Sequence, residues 1–315
     1  MTESLSVVLP TYNRADILDE MLVSLAVQQL PEGSILETVV VDDCSSDNTL
    51  DVLRKHSADD RLKLKFKTLS KNSGPAVARN EAVKMAQGNV LLITGDDMVP
   101  APGLLEGHIN WHREHESEKY ALLGNVSWDP DSEPSSFMKW LENAGRGFYF
   151  NFKDLKPGVP LGSYAFYTSN ISLKREFLER STLCDMTFPY ASHEDLELGY
   201  RLETDGMQLF YDPNLVVYHR HDLEFPKMAK RVYVMGYSAA IYWERVPDTA
   251  SVSIRAMRNL LTAVCRISLI RDYYMSAAVS EKYDTGYHPL MWKICMLIHY
   301  CTGLSDRRKG LKRRI

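Results

Sequence analysis

The sequence predicts an α/β protein: a mainly parallel sheet flanked by helices, with a helical extension at the C-terminal end. Three observations carry that prediction. Apolar strand-like runs and helix-spaced runs alternate four times in about a hundred residues, the order that a parallel sheet with crossover helices requires. Three of the strand-like runs stop in polar clusters, at Pro10-Thr11-Tyr12-Asn13-Arg14, at Asp42-Asp43 and at Asp96-Asp97. Beyond Asp222 the pattern changes to long helical stretches rich in aromatic residues and arginine, which sets the expected division into residues 1–222 and 223–315.

Leu5-Ser6-Val7-Val8-Leu9 reads as a buried first strand, stopped by Pro10. Ile17, Leu18, Met21, Leu22 and Leu25 recur at helical spacing. Ile35 to Val41 is a second strand, and Ser45-Ser46-Asp47-Asn48-Thr49 supplies cap residues for a helix through Leu50 and Leu53. Leu62, Leu64 and Phe66 alternate with Lys63, Lys65 and Lys67, which predicts a lysine-guarded strand with one face exposed. Pro75 opens the next helix and Gly88 closes it. Asn89 to Thr94 follows as a strand. The order then becomes mixed: a helix over Leu104 to Glu114, strands over Tyr120 to Val126 and Tyr164 to Leu173, and a helix over Glu194 to Glu203 with Gly206 beyond its end. Met207 to Tyr211 and Leu215 to His219 read as two short strands around an Asp212-Pro213-Asn214 turn.

The bulk numbers narrow the functional classes. With 315 residues the chain holds one large domain, or one domain and a smaller partner. A net charge of −4 argues against nucleic acid as the main partner. Cys44, Cys184, Cys265, Cys295 and Cys301 lack metal-ligand pairing, which fits free thiols in a reducing compartment. Met1-Thr2-Glu3-Ser4 shows no basic segment followed by an apolar one, so no signal peptide is expected. No apolar run reaches the length that spans a bilayer. The expected location is cytoplasmic.

In a parallel sheet, ligands gather at the carboxyl ends of the strands, and the three polar clusters would share that edge. Asp96 and Asp97 end an apolar strand, where carboxylates are costly without water, a cation or a donor. A divalent ion carrying substrate phosphates satisfies both, since Mg²⁺ and Mn²⁺ favour oxygen ligands. The competing reading is a solvated acidic turn. Tyr12 can stack on a flat base, Asp43 can accept from a base N–H, and Arg79 can reach a base oxygen or a phosphate; capping the sheet and solvating a helix are the plainer roles for Tyr12 and Arg79. His219, after a strand, can complete a metal site begun by Asp96 and Asp97. Glu194 and Asp195 stand at a helix start, where one carboxylate can act as a general base and either suits the helix dipole. No G-x-G-x-x-G follows the first strand and no Walker lysine motif occurs, which argues against a dinucleotide fold and an ordinary ATPase.

Pro10-Thr11-Tyr12-Asn13-Arg14, Asp42-Asp43 with Ser45-Ser46-Asp47-Asn48-Thr49, Ala78-Arg79-Asn80, Gly88, Gly95-Asp96-Asp97 and Glu194-Asp195-Leu196-Glu197-Leu198 occur in that order. This ordered set resembles family 2 glycosyltransferases, the inverting, sugar-nucleotide-dependent enzymes of the GT-A fold, over residues 4–222. The resemblance implies a nucleotide-diphosphate sugar as donor, most often UDP-linked, with Mn²⁺ or Mg²⁺. It implies that Pro10, Thr11, Tyr12 and Arg14 belong to the donor-binding loop, with Thr11 and Tyr12 on the uracil face and Asp43 and Arg79 at its edge. Asp96 would sit by the ribose and the metal, Asp97 would bind the metal, and His219 would complete the metal shell. Asp195 would be the catalytic base, with Glu194 as its neighbour, and Asn170 would lie on an acceptor-side strand. Two departures stand out. Thr94 aligns with the first acid of the common Asp-any-Asp motif, and Leu183-Cys184-Asp185-Met186-Thr187-Phe188 replaces the usual Gly-Gly-Phe-Asp-Glu stretch.

The expected function is therefore an inverting hexosyl transfer to a hydroxyl of a glycan, a lipid-linked or another glycoconjugate acceptor, in polysaccharide or glycoconjugate synthesis. A sugar nucleotidyltransferase is an alternative, but it would show a basic, glycine-rich loop after the first strand. A non-catalytic sugar-nucleotide sensor or scaffold is another, with Thr94 as its sequence support. The Leu290–Tyr300 segment is apolar and is followed by Arg307, Arg308, Lys309, Lys312, Arg313 and Arg314. Such a pairing can lie on an anionic bilayer as a peripheral contact at the inner membrane face, or form a homodimer contact. A core-packing helix with a solvated tail is the favoured alternative.

Overall fold

The computed structural model describes residues 4–129, 133–144, 149–150, 152, 154–181, 183–220, 223–247, 263, 273 and 289–311. Met1 to Glu3, Asp222, Cys265 and Lys312 to Arg314, named above, lie outside these residues. The chain divides into two units. One is formed by Met1–Asp131, Phe152–Ala191 and Asp195–His221, the other by Ser132–Asn151, Ser192–Glu194 and Asp222–Ile315.

The first unit alternates strand and helix. Its strands are β1 (Ser4–Thr11), β2 (Ile35–Asp42), β3 (Leu64–Thr68), β4 (Val90–Thr94), β5 (Met98–Pro100), β6 (Tyr120–Trp128), β7 (Asn170–Lys174) and β8 (Gln208–His219). Its helices are α1 (Ala15–Ala26), α2 (Thr49–Ser57), α3 (Pro75–Met85) and α4 (Leu104–Glu114), and further on α6 (Arg175–Arg180) and α7 (Glu194–Thr204), whose first residue belongs to the second unit. The strands form one sheet in the order β3-β2-β1-β4-β7-β6-β8-β5. β1 pairs in parallel with β2 and β4, and β2 with β3. Leu5, Val7, Val8 and Leu9 are fully buried, as a parallel strand covered on both faces requires. Leu18, Met21, Leu22 and Leu25 form the buried stripe of α1. β3 is the sheet edge, and Lys65 and Lys67 project from it to Glu37 and Glu81.

The sheet must curl. β4 and β5 stand four strand steps apart in the sheet order, roughly 19 Å if the sheet were flat. Only Gly95, Asp96 and Asp97 join them, a link that reaches at most about 14 Å. That link is further tightened into a turn, in which the Met98 N–H donates to the Gly95 carbonyl at 3.3 Å.

Several elements differ from the sequence expectation. Pro10 does not stop β1: Pro10 and Thr11 stay in register with Val41 and Asp42. Leu62 and Lys63 fall outside β3, because Lys63 turns at φ +43°. Gly88 does not close α3, which ends at Met85; it lies so close to β1 that a Cβ would meet the Ser6 nitrogen at 2.7 Å. The strand over Tyr164 to Leu173 shortens to β7. The residues before it close a 3₁₀ turn (Ser163–Ala165), in which Phe166 N–H donates to the Ser163 carbonyl, and Phe166 packs on Gly199 of α7. The two strands expected around Asp212-Pro213-Asn214 are one strand, β8, that continues through a register shift beside β6. The turn chemistry is present, with the Asn214 N–H on Asp212 Oδ1 at 2.9 Å, but the flanking segments run on in the same direction.

In the second unit, α5 (Ser136–Ala144), α8 (Phe225–Arg245) and α9 (Pro289–Arg308) are described. Phe137, Trp140, Phe225 and Trp292 form an aromatic cluster with ring centroids 5.1–6.3 Å apart. The Tyr233 hydroxyl donates to Asp306 Oδ2 at 3.0 Å between α8 and α9. Trp292, Cys295, Met296, Ile298, Cys301 and Leu304 of α9 are buried, so the apolar segment noted in the sequence packs within this unit. Among the described residues no helix is long and apolar enough to cross a membrane.

Candidate active site

The strand directions fix which residues meet. β1, β2 and β4 end on one edge; β7, antiparallel to β4, starts there, with Asn170 opposite Thr94. β6 and β8 end on the same edge, with Trp128 opposite His219, and β5 starts there, with Met98 opposite His219.

At this edge Asp96 is buried, and the Thr11 hydroxyl donates to its Oδ2 at 2.8 Å. Arg14, at the N-terminus of α1, places Nη1 2.9 Å from Asp96 Oδ1 and 2.6 Å from Asp97 Oδ2. His219 Nε2 is 3.4 Å from the same Asp97 oxygen, and the imidazole stacks on Trp128 with centroids 5.7 Å apart. The Arg220 N–H donates to the Asp97 carbonyl at 2.9 Å. Asp96 and Asp97 thus span the gap that the curled sheet leaves between β1 and β8. Burial, and the neighbouring Asp97 charge, push the Asp96 carboxyl up against the pull of Arg14. Asp97 goes the other way: burial opposes ionisation, but His219 and Arg14 together hold its carboxyl well below the usual range. Arg14 loses to burial and gains more from the two aspartates, so its guanidinium stays charged.

The loops around the pair are laced together. Asn13, at φ +51°, donates its N–H to Ser45 Oγ at 2.8 Å and accepts from the Ser46 N–H at 2.7 Å. Asp47 Oδ2 accepts from the Ala15 N–H at 3.0 Å, while its Oδ1 accepts from the Thr49 N–H at 3.1 Å, so one side chain caps both α1 and α2. Pro10 lies within β1, and Tyr12 beyond it is 44% exposed, leaving its ring open to a stacking partner. Asp43 is buried; its N–H donates to the Thr11 carbonyl at 2.9 Å, and its two carboxylate oxygens accept from the Ser73 and Gly74 N–H groups at 2.7 and 2.8 Å. Asp43 therefore secures the start of α3, the helix that carries the buried Arg79. Each of its oxygens keeps a second lone pair for a ligand donor.

Glu194 is buried at the first position of α7 and Asp195 is half-buried at the second. The Tyr167 hydroxyl is pushed up to about 12 by burial and then by the charge of Asp195. Asp195 is thus beside the segment that leads into β7 on the same edge, where the Ser169 carbonyl accepts from the Thr94 hydroxyl at 2.9 Å.

Thr11, Arg14, Asp96, Asp97 and His219 accordingly form one connected cluster, with Asp43 one backbone bond away. Among the described residues no group of three or more His, Cys, Asp or Glu side chains is drawn together for a metal ion. The cation beside both aspartates is Arg14. Sequence reasoning placed Arg14 in the donor-binding loop and did not foresee this ion pair, since the partners are 82 and 83 residues apart. It also missed Trp128 under His219. Asn170 is fully buried at the start of β7, and its amide donates to the Asn125 and Leu215 carbonyls of β6 and β8.

A curled, mostly parallel α/β sheet with a helical C-terminal part is the architecture of GT-A glycosyltransferases. The mannosyltransferase PcManGT from Pyrobaculum calidifontis superposes over 99% of this chain and 89% of its own, with a TM-score of 0.63 at 18% identity. A fragment of S. aureus TarS superposes over 100% of this chain and 93% of its own, with a TM-score of 0.55 at 22% identity. The sequence is more specific. The profile of glycosyl transferase family 2 matches residues 6–178, and the chain belongs to that family. It is 27% identical over 320 residues to the uncharacterized glycosyltransferase YfnE of Bacillus subtilis (strain 168), covering 89% of this chain and 80% of the relative. It is 45% identical over 96 residues to the poly(ribitol-phosphate) beta-N-acetylglucosaminyltransferase TarS of Staphylococcus aureus (strain Mu50 / ATCC 700699), a match that covers 30% of this chain and 16% of TarS.

Proposed function

We propose that this family 2 glycosyltransferase moves a sugar from a UDP-linked donor to a hydroxyl of a glycan or glycoconjugate acceptor, with inversion. The observation that carries the reading is the single cluster of Thr11, Arg14, Asp96, Asp97 and His219 at the carboxyl edge of the sheet. The TarS fragment has been solved with UDP and with UDP-GlcNAc, and PcManGT with GDP-Man and Mn²⁺, which supports a nucleotide-sugar donor here.

In this reading the exposed Tyr12 ring stacks on the base while Asp43 accepts from a base N–H and Arg79 lies at the base edge. Asp96 holds a ribose hydroxyl. The two carboxylates and the adjacent imidazole are hard and borderline donors that suit Mn²⁺ or Mg²⁺, and Arg14 already marks the place as one for positive charge. Asp96, Asp97 and His219 would hold such an ion, which offsets the negative charge that gathers on a departing diphosphate. Asp195 takes the proton from the acceptor hydroxyl. That oxygen attacks the anomeric carbon from the face opposite the diphosphate, the bond from carbon to diphosphate oxygen breaks, and UDP leaves with the electron pair. Residues 1–222 carry this chemistry, and no reacting group is assigned to residues 223–315.

Calorimetric titration of UDP with and without Mn²⁺ tests the proposal. Wild-type protein is expected to bind UDP more tightly as Mn²⁺ rises, and Asp97→Ala to lose that dependence. UDP affinity that stays flat across the manganese titration in both proteins would overturn the metal assignment, and no UDP binding at all would overturn the donor.

A further inference from the structure

The position of His219 depends on an irregularity in β8. Asp212 pairs with Gly124 and Val216 with Asn125, so Pro213, Asn214 and Leu215 have no opposite residue on β6. In an unbroken ladder Asn125 would face Pro213, and Trp128 would face Val216. His219 would then lie three residues beyond Trp128, about 10 Å further along the strand. The bulge draws it back level with Trp128 and Met98, with Nε2 3.4 Å from Asp97 Oδ2.

Asn170 grips this bulge. Its Nδ2 donates at 3.0 Å to the carbonyl of Asn125, the first residue of β6 after the register shift, and at 2.8 Å to the carbonyl of Leu215, the last unpaired residue of the bulge on β8. The fit leaves no room for side chains nearby. A Cβ on Gly124 would collide with Asn170 Nδ2 and lie 2.5 Å from the Leu215 carbonyl oxygen; one on Gly107 of α4 would collide with the Leu215 side chain.

The amide of Asn170 is itself oriented. Both its hydrogens go to carbonyls, so Oδ1 must accept, and His108 Nε2, 3.0 Å away, must donate. In a neutral ring His108 Nδ1 then accepts from the Ser172 hydroxyl at 2.8 Å, and Ser172 Oγ accepts from His112 Nε2 at 2.9 Å. The bonds run one way, from His112 through Ser172 and His108 to Asn170, and all four residues are buried.

We propose that Asn170 is a positioning residue for the donor site: it staples the β8 bulge and so sets His219 beside Asp97, while the His112–Ser172–His108 chain fixes its amide. The proposal rests on the donor-site role given to His219 above.

The test is a double-mutant cycle read as UDP affinity in the presence of Mn²⁺, on the full chain. Groups that orient a ligand-binding side chain are commonly worth about 10–100-fold. Asn170→Ala and His219→Ala are each expected to weaken UDP by that range, and the double variant to be no weaker than His219→Ala beyond about twofold. Equal losses from Asn170→Ala in both backgrounds overturn the proposal, since a merely structural role is blind to His219. If Asn170→Ala fails to fold, Ser172→Ala carries the same cycle: a severalfold loss that vanishes with His219→Ala supports positioning, and an equal loss in both backgrounds refutes it. His219→Ala with unchanged UDP affinity has a different signature; it removes the donor-site role of His219 and this inference with it.

Discussion

Two polar centres lie within the sheet-bearing unit, and they solve the problem of burial in opposite ways. At the carboxyl edge, Asp96 and Asp97 keep charge, balanced by Arg14 with His219 alongside. Behind β7, His108, His112, Ser172 and Asn170 hold four buried polar side chains without a formal charge. Taking an ion out of water costs several kcal/mol, whereas a satisfied neutral hydrogen bond contributes about 0.5–1.5 kcal/mol. The charged centre is worth its cost only where a charged ligand comes to meet it. The neutral one suits a place where geometry has to be held. In the proposed function, the difference separates residues that would touch a donor from residues that would aim them.

The largest expected effect concerns the proposed base, which belongs to neither centre and sets the scale against which both are read. Asp195→Asn should lower sugar transfer by about 10²–10⁴-fold while UDP affinity and thermal stability stay near wild type. Full transfer activity in that variant would remove Asp195 as the base.

The next effect belongs to the neutral centre and is read from pH. Burial pushes the His108 imidazole down to about 4, and burial pushes His112 in the same direction. In the unfolded chain a histidine titrates near 6.5, so below that pH the unfolded state binds the proton first. The contribution of His108 is complete above about pH 6.5, is lost as pH falls toward 4, and levels off below, a total of roughly 3 kcal/mol. Urea melts between pH 7 and 4 should show this slope, and His108→Gln should make it shallower, with His112 still contributing. A slope unchanged in His108→Gln would show that the acid sensitivity arises elsewhere.

Arg14→Met probes the charged centre. It leaves two adjacent carboxylates without their guanidinium; because the arginine side chain is 35% exposed, the expected loss is about 1–3 kcal/mol, below that for a fully buried pair. Chemical denaturation of the UDP-free protein measures it, and added Mn²⁺ should restore more stability to the variant than to wild type. No loss would mean that Thr11, His219 and water satisfy the aspartates without the guanidinium. The smallest effect is Asp47→Ala, which removes caps from α1 and α2 and should cost about 1 kcal/mol in the same melts without weakening UDP severalfold.

The alternation of strand and helix, the buried stripe of α1, the edge position of the lysine-rich strand and the gathering of strand-end acids were all legible, because each depends on periodicity or on chain direction within a short window. The reading failed where a distant partner decides. Tyr164 to Leu173 has strand-like composition, yet Phe166 packs on α7 and the backbone closes a turn instead. Asp212-Pro213-Asn214 has turn chemistry, yet the strand continues, because Asn170, 45 residues from Leu215, holds the bulge open in the ladder. His108 and His112 stand one helical turn apart, a spacing that marks a shared face, but nothing local shows that β7 supplies their partners.

The amino-acid order by itself determined the class of fold, the family and the edge where the strand-end acids gather, since hydrophobic period and strand direction act over a few residues at a time. Tertiary structure alone decided that Arg14 faces the two aspartates and that His219 stands level with Trp128. Both depend on how far a curled sheet closes and on a three-residue shift in one ladder. Those are set by contacts between residues far apart in the chain, where small changes in register move a side chain by many ångströms.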